Sequence, residues 1–216
     1  MGLARRDLVT AAIVCMCLAM GLTGLTTFTC ARDRESARRI LCGNNLRRLA
    51  SGMFRYSDVL EAGNYLSFPL GRGIAHDDFT GAEWLASLYW TDFVEEPSAF
   101  LCPASTDDNQ GGTDLGRERA PVGRFGPGTV SYAGMHYGTL TCQDVPSRKI
   151  LPRHTFTGQA PMACDDTEDP INHGTCSNGG MNIIFFDGHV EFQSSAQLDL
   201  QRAVGLNGGL LQDLRN

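Results

Sequence analysis

LVTAAIVCMCLAMGLTGLTTF, residues 8–28, is followed almost at once by ARDRESARRILCGNNLRRLASGMFRYSD, residues 31–58, and this junction decides the fold. The first stretch is 21 residues without a charge. As a helix it is about 31 Å long, enough to cross the hydrocarbon core of a bilayer. No proline separates the two stretches, so one helix is expected to run through both. In the second stretch apolar residues recur at Cys42, Leu46, Leu49, Met53 and Tyr56, in steps of 4, 3, 4 and 3. That spacing is one face of a helix. Arg47, Ser51, Arg55 and Asp58 mark the opposite face, so the stripe is expected to pack on the chain's own head. Gly63 and Asn64 then stop the helix. The expected division is a short leader-like segment 1–7, a transmembrane helix 8–28, an amphipathic stalk helix 29–62 and an α+β head 63–216.

The totals fit one modest head domain with its own core. The chain has 216 residues and a net charge of −6, which hides an asymmetry. Residues 32–55 carry seven arginines against Asp33 and Glu35, or +5, whereas residues 56–216 carry nine basic and 21 acidic residues, or −12. A basic stalk and an acidic head suit attraction between neighbouring copies, or stalk contact with anionic lipid headgroups. An acidic head would repel phosphate, so no nucleic-acid partner is expected.

Charge alone does not orient the apolar run, because Arg5 and Arg6 precede it and Arg32, Arg34, Arg38 and Arg39 follow it. Cysteines outside it (Cys30, Cys42, Cys102, Cys142, Cys164 and Cys176) show no CxxC pair and no zinc-finger spacing. Scattered cysteines in a Gly-rich head point to disulfides in an oxidising compartment. The expected location is therefore the bacterial cytoplasmic membrane, single-pass, with an extracytoplasmic (periplasmic) head. No small-x-small cleavage site follows the run. A lipidated Cys30 and a degraded twin-arginine signal in ARRDLV are the alternative readings of this end.

In the head, Thr80 caps a short helix, GAEWLASLYW, with Trp84 and Leu88 on one side. AFLCPAS is a short apolar segment ended by Pro103, and residues 105–128 are polar and rich in Gly and Asp, hence a surface loop. Residues 129–137 have strand character, and residues 147–154 lead into an edge strand. The clearest hairpin is NIIFF, residues 182–186, then Asp187-Gly188 as a tight two-residue turn, then HVEF, residues 189–192. A short helix is expected after Gln197.

These motifs resemble a known group. ESARRILCGNNLRRLASGMFRYSD looks like the start of bacterial type IV pilin-like proteins related to the type II secretion pseudopilins. Asn44, Asn45 and Leu46 match its Asn-Asn-Leu, and FLCPAS and VSYAGM resemble its Cys-Pro-Ser and Ser-Tyr elements. INHGTCSNGGMNIIFFDGHVEF resembles the H-X9-DG processing-associated C-terminal domain, over residues 173–192, with His173, Asp187, Gly188 and His189 at the motif positions. Thirteen residues rather than nine separate His173 from Asp187. At the other end Gly2 precedes Leu3, and Asp7 stands fifth after that junction, while Arg5 and Arg6 replace apolar residues. The resemblance implies a pilin-like fold, a long helix packed on a small antiparallel sheet. It also implies other pilin-like subunits and a prepilin peptidase as partners, with membrane lipid around the apolar run. Gly21 and Gly24 would permit close helix packing in a filament.

His173, Asp187, His189, Asp165 and Asp166 could gather around zinc or an activated water, but the spacing is no known ligand motif. CDDTEDP with Asp187 suits an oxygen-seeking ion such as calcium better, through Asp165, Asp166 and Asp187. No GxSxG, P-loop or HExxH pattern is present, and Ser131 and Ser177 have no identifiable partners. Trp84, Tyr89 and Trp90 read as core or as an exposed binding patch. Disulfide candidates are Cys42 with Cys102, and a second bridge within Cys142, Cys164 and Cys176. The leading expectation is a non-enzymatic, membrane-anchored, pseudopilin-like subunit without a cofactor. Its rivals are a tethered ligand-binding protein that does not polymerise and a tethered metal-dependent enzyme.

Overall fold

The computed structural model describes residues 5–59, 80–116, 128–135, 143–145, 148–150, 157–165, 172–174, 179–197, 210–211 and 214–215. Helix α1, Arg5–Val59, runs for 55 residues through both stretches of the junction. The chain divides into two units, Met1–Ala37 and Arg38–Asn216. In the first unit the described apolar side chains Ile13, Val14, Met16, Leu18 and Met20 are each at least half exposed. Among the described residues no helix is long and apolar enough to cross a membrane. Within the apolar run, side-chain environments are described for residues 13–20 alone. The leader residues Gly2 and Leu3 and the stop at Gly63 and Asn64 lie outside the described residues, and Asp7 falls on the α1 backbone.

In the second unit the helical stripe packs as its period demands. Cys42, Leu46, Leu49, Met53 and Tyr56 are all at most 1% exposed, while Arg47, Ser51, Arg55 and Asp58 are exposed. The stripe shares one apolar core with α2, Gly81–Trp90, and with an antiparallel sheet. The sheet is built from β1 (Tyr132–Met135), β4 (Pro161–Asp165), β5 (Gly180–Phe185), β6 (Val190–Ser194) and β7 (Leu214–Arg215), in the order β6-β5-β4-β1-β7. Strands β2 (Gln143–Val145) and β3 (Arg148–Ile150) form a separate two-stranded ribbon. The fold is α+β, a long N-terminal helix with a small antiparallel sheet.

Thr80 caps α2 through a reciprocal box. Its Oγ1 accepts from the Glu83 N–H at 3.2 Å, and its own N–H donates to Glu83 Oε2 at 2.7 Å. Two orphan donors at the helix start are thereby satisfied. Trp84 and Leu88 are buried, but so are Ala82, Leu85, Ala86, Ser87 and Tyr89, so α2 is enclosed on nearly every side rather than on one. Strand β1 approaches α2 closely at Gly134, where a Cβ would stand 2.5 Å from the Gly81 carbonyl oxygen and 2.9 Å from the Leu85 side chain.

Three local expectations change. The 182–192 hairpin has a three-residue loop rather than a two-residue one. Phe185 N donates to His189 O and Gly188 N to Phe185 O, and Gly188 alone in the loop has positive φ, at 87°. Asp187 thus avoids the left-handed conformation that a tight two-residue turn would impose on it. The 105–128 segment is not only surface loop: Asn109 and Leu115 are buried, and Asn109 Nδ2 donates to Pro97 O at 2.8 Å. The strand expected at 129–137 starts only at Tyr132, because Ser131 N donates to Phe100 O outside the ladder, and residues 136 and 137 lie outside the described residues. The helix expected after Gln197 lies outside the described residues.

Candidate functional site

Four buried polar groups meet where α1 crosses the sheet. Cys42 is carried by the apolar stripe of α1. Asn45, three positions on, donates Nδ2 to the carbonyls of Leu101 at 2.9 Å and Ser98 at 3.3 Å. Those carbonyls belong to one turn of 3-10 helix, Pro97–Phe100, and its C-cap Leu101. The latch brings Cys102 beside Cys42. Asp165 ends β4, opposite Tyr132 in the ladder. His173 forms an isolated bridge to Gly180 at the start of β5, whose N–H donates to His173 O at 3.0 Å.

The ligand-type atoms of Cys42, Cys102, Asp165 and His173 all lie within 4.8 Å of one another. Their residues are 0%, 2%, 1% and 0% exposed. Cys42 Sγ lies 2.6 Å from Asp165 Oδ1, His173 Nε2 3.5 Å from Cys102 Sγ, and His173 Nε2 3.5 Å from Asp165 Oδ2. Around them, Asn182 donates its backbone N–H (2.6 Å) and its Nδ2 (3.2 Å) to Asp165 Oδ2. The Tyr132 hydroxyl accepts from Cys42 Sγ at 3.5 Å and donates to Leu101 O at 3.2 Å.

The electrostatics follow from burial and pairing. Burial, then the neighbouring Cys102, pushes the Asp165 carboxyl up to about 7, against the opposing pull of His173 and of the Asn182 N–H. The hydrogen bond from Cys42 lowers the Cys102 thiol to about 5, helped by His173 and opposed by burial. Burial and the hydrogen bond to Cys102 raise Cys42 well above the usual thiol range. Cys102 is therefore the more acidic of the two thiols. Burial, then Cys42, raises the Tyr132 phenol as well, so it stays a neutral donor.

Two sequence expectations bear on this cluster. Cys42 and Cys102 are neighbours, as the expected pairing requires, and stand as free thiols in this structure. Cys42 Sγ also contacts Asp165, and Cys102 Sγ contacts His173. Of the calcium set, Asp165 and Asp187 are not brought together, and Asp166 lies outside the described residues. Asp187 stands two residues beyond Phe185, which pairs with Pro161 at the other end of β4 from Asp165. Four strand steps separate those two ends of β4 by about 13 Å. Asp187 is half-exposed and is engaged by His189, whose N–H donates to Oδ1 at 3.0 Å and whose Nδ1 lies 2.5 Å from it. These bonds hold the Asp187 carboxyl below its usual range. The two halves of the H…DG pattern accordingly do different work, His173 inside the core and Asp187-Gly188 in an outer loop.

The remaining candidates fall as follows. Asn44 is exposed and accepts from Arg47 at 2.9 Å, and Leu46 is core. Cys164 is buried in β4. Asp166, Cys142, Cys176 and Ser177 lie outside the described residues. The aromatic patch is not exposed: Trp84 and Tyr89 are buried, and half-buried Trp90 donates Nε1 to Leu115 O. Ser131 is buried against Ser105 Oγ at 2.9 Å. A surface groove of about 560 Å³, with Arg48 and Arg55 facing Glu95 and Glu96, holds none of the buried donors. Tyr132 and Asn182 were invisible as site residues. Their only signal is a polar group within otherwise apolar strands, YAGM and GMNIIF.

Residues 32–100 match a family model described as "Protein of unknown function (DUF1559)". The matched stretch carries Cys42, Asn45 and the Pro97–Phe100 turn, and ends before Cys102, Asp165 and His173. No curated protein and no solved structure matches the chain.

Proposed function

We propose that this chain is a non-enzymatic, membrane-anchored, pilin-like structural subunit with an extracytoplasmic head. The observation that carries it is the double use of one helix. The second part of α1 supplies a buried stripe to an antiparallel head, whereas the first part presents apolar side chains such as Ile13, Leu18 and Met20 outward. Apolar surface of that kind needs lipid or another copy of the helix to cover it. The match at residues 32–100 and the resemblance of the 173–192 segment support the same reading. The side of the membrane rests on the resemblance and on the scattered cysteines of the head, of which Cys142 and Cys176 lie outside the described residues. Partners on this reading are membrane lipid, other pilin-like subunits and a prepilin peptidase acting near Gly2.

Replacement of Gly21 and Gly24 by Leu tests assembly. Full-length chain in membranes should give cross-linked ladders that the double variant loses. Recovery of the wild-type chain in the soluble fraction would overturn the anchor. Membrane-bound chain with no ladder in either form would leave a tethered binding protein instead of a filament subunit.

A further inference from the structure

We propose that Cys42, Cys102, Asp165 and His173 form a structural site for a zinc-class divalent metal ion, which cross-links α1 to the sheet. This goes beyond the anchoring reading and stands whether or not the chain polymerises.

The donor set has the number and kind that zinc takes: two sulfurs, one imidazole nitrogen and one carboxylate oxygen. With metal–ligand distances of about 2.0–2.3 Å, the edge of a tetrahedron is about 3.6 Å. Cys102 Sγ to His173 Nε2 already stands at 3.5 Å, and all the ligand-type atoms lie within 4.8 Å of one another. The Cys42–Asp165 Oδ1 contact, at 2.6 Å, must open. Calcium is disfavoured, because it takes six or more oxygens and thiolates serve it poorly.

The surroundings are built as an outer shell. Asn182 fixes Asp165 through two hydrogen bonds to Oδ2, leaving Oδ1 turned toward Cys42. Tyr132 lies against Cys42 Sγ. Such second partners orient metal ligands. The centre is closed: none of the four residues is more than 2% exposed, and four protein donors leave no position for substrate. It therefore braces the fold and performs no catalysis. The four donors come from α1, the segment after the 3-10 turn, the end of β4 and the bridge to β5, so one ion would tie four separated parts of the chain. On loading, both cysteines bind as thiolates, the protons that Cys42 and Asp165 carry pass to solvent, and each sulfur gives an electron pair to the metal with no change of oxidation state. A metal-held pair would also resist oxidation to a disulfide.

The test uses full-length chain purified with reductant, desalted and analysed for metals. About one zinc per chain is expected, removable by a strong chelator and restored by zinc but not by calcium. Metal-stripped chain given cobalt should develop the visible bands of a tetrahedral, thiolate-bound ion, a readout that needs no variant. Cys102→Ser and His173→Gln should lower occupancy at least tenfold, while Cys15→Ser with Cys17→Ser leaves it unchanged. Circular dichroism identifies any variant that has simply unfolded, and the cobalt spectrum of the wild type then decides. Absence of bound zinc after incubation, a featureless cobalt spectrum, or a Cys42–Cys102 disulfide in alkylated peptides from the native chain would each overturn the site.

Discussion

Asn45 on α1 donates to the carbonyl oxygen of Leu101 at 2.9 Å, across 56 positions of sequence, and Tyr132 donates to the same oxygen at 3.2 Å. One carbonyl thus gathers a helix, a turn and a strand around the two cysteines. Asn45→Ala should cost about 1 kcal/mol, the usual net worth of such a bond, since Tyr132 still satisfies Leu101. Asn44→Ala, one residue away and exposed, should change stability by less than about 0.5 kcal/mol. Denaturant melts of the two variants side by side check the difference. Equal losses would mean that the latch is not what holds the turn.

Gly134 gives a second contrast. A methyl group there would stand 2.5 Å from a backbone oxygen of α2, which cannot swing away as a flexible side chain could. Gly134→Ala should therefore destabilise the head by about 1–3 kcal/mol through overpacking. Gly128, where the nearest atom to an added Cβ is 4.0 Å away and no positive φ is imposed, should accept Ala within about 0.5 kcal/mol. Thermal unfolding of both variants reads the contrast.

How much of this was legible in the residues depends on range. Local periodicity marked Cys42, Leu46, Leu49, Met53 and Tyr56, and every one is buried, because a helical stripe has one way to face a core. The Thr80 box is equally local, two residues three apart. The hairpin was visible from Asp187-Gly188, but its loop length was not. Two- and three-residue loops share that dipeptide, and the choice rests on which residue takes positive φ. The buried site was legible only in pieces. Cys42 beside Cys102 was one reading, and His173 with Asp165 around a metal was another. No linear motif links donors brought from four elements, and pairing across a sheet is not periodic along the chain.

Arg48 and Glu96 join α1 to the start of the 3-10 turn in an exposed ion pair. The hydrogen bond from Arg48, then that from Ser98, holds the Glu96 carboxyl below its ordinary range. Its folded pKa is thus lower than its unfolded one. The pair's contribution is complete above the unfolded value near about 4.3, fades as pH falls through the folded value, and vanishes below it. Arg48→Ala should consequently differ from wild type at neutral pH and converge with it in acid. Raised salt should narrow the neutral-pH gap, as for any exposed pair. A gap that stays constant across the acid range would assign the loss to packing of the Arg48 stem instead.

Gly188 separates backbone strain from packing in the final case. Its φ of 87° lies in the region that residues with a Cβ avoid, while an added Cβ would meet only Phe54, at an ordinary 3.4 Å. Gly188→Ala should therefore cost about 1–2 kcal/mol through conformation alone. Asn tolerates left-handed backbone better than Ala does, so Gly188→Asn should cost distinctly less despite its larger side chain. Were contact with Phe54 the dominant effect, the order would reverse and Asn would be the worse of the two. Urea midpoints of the two variants, measured at neutral pH, distinguish the alternatives.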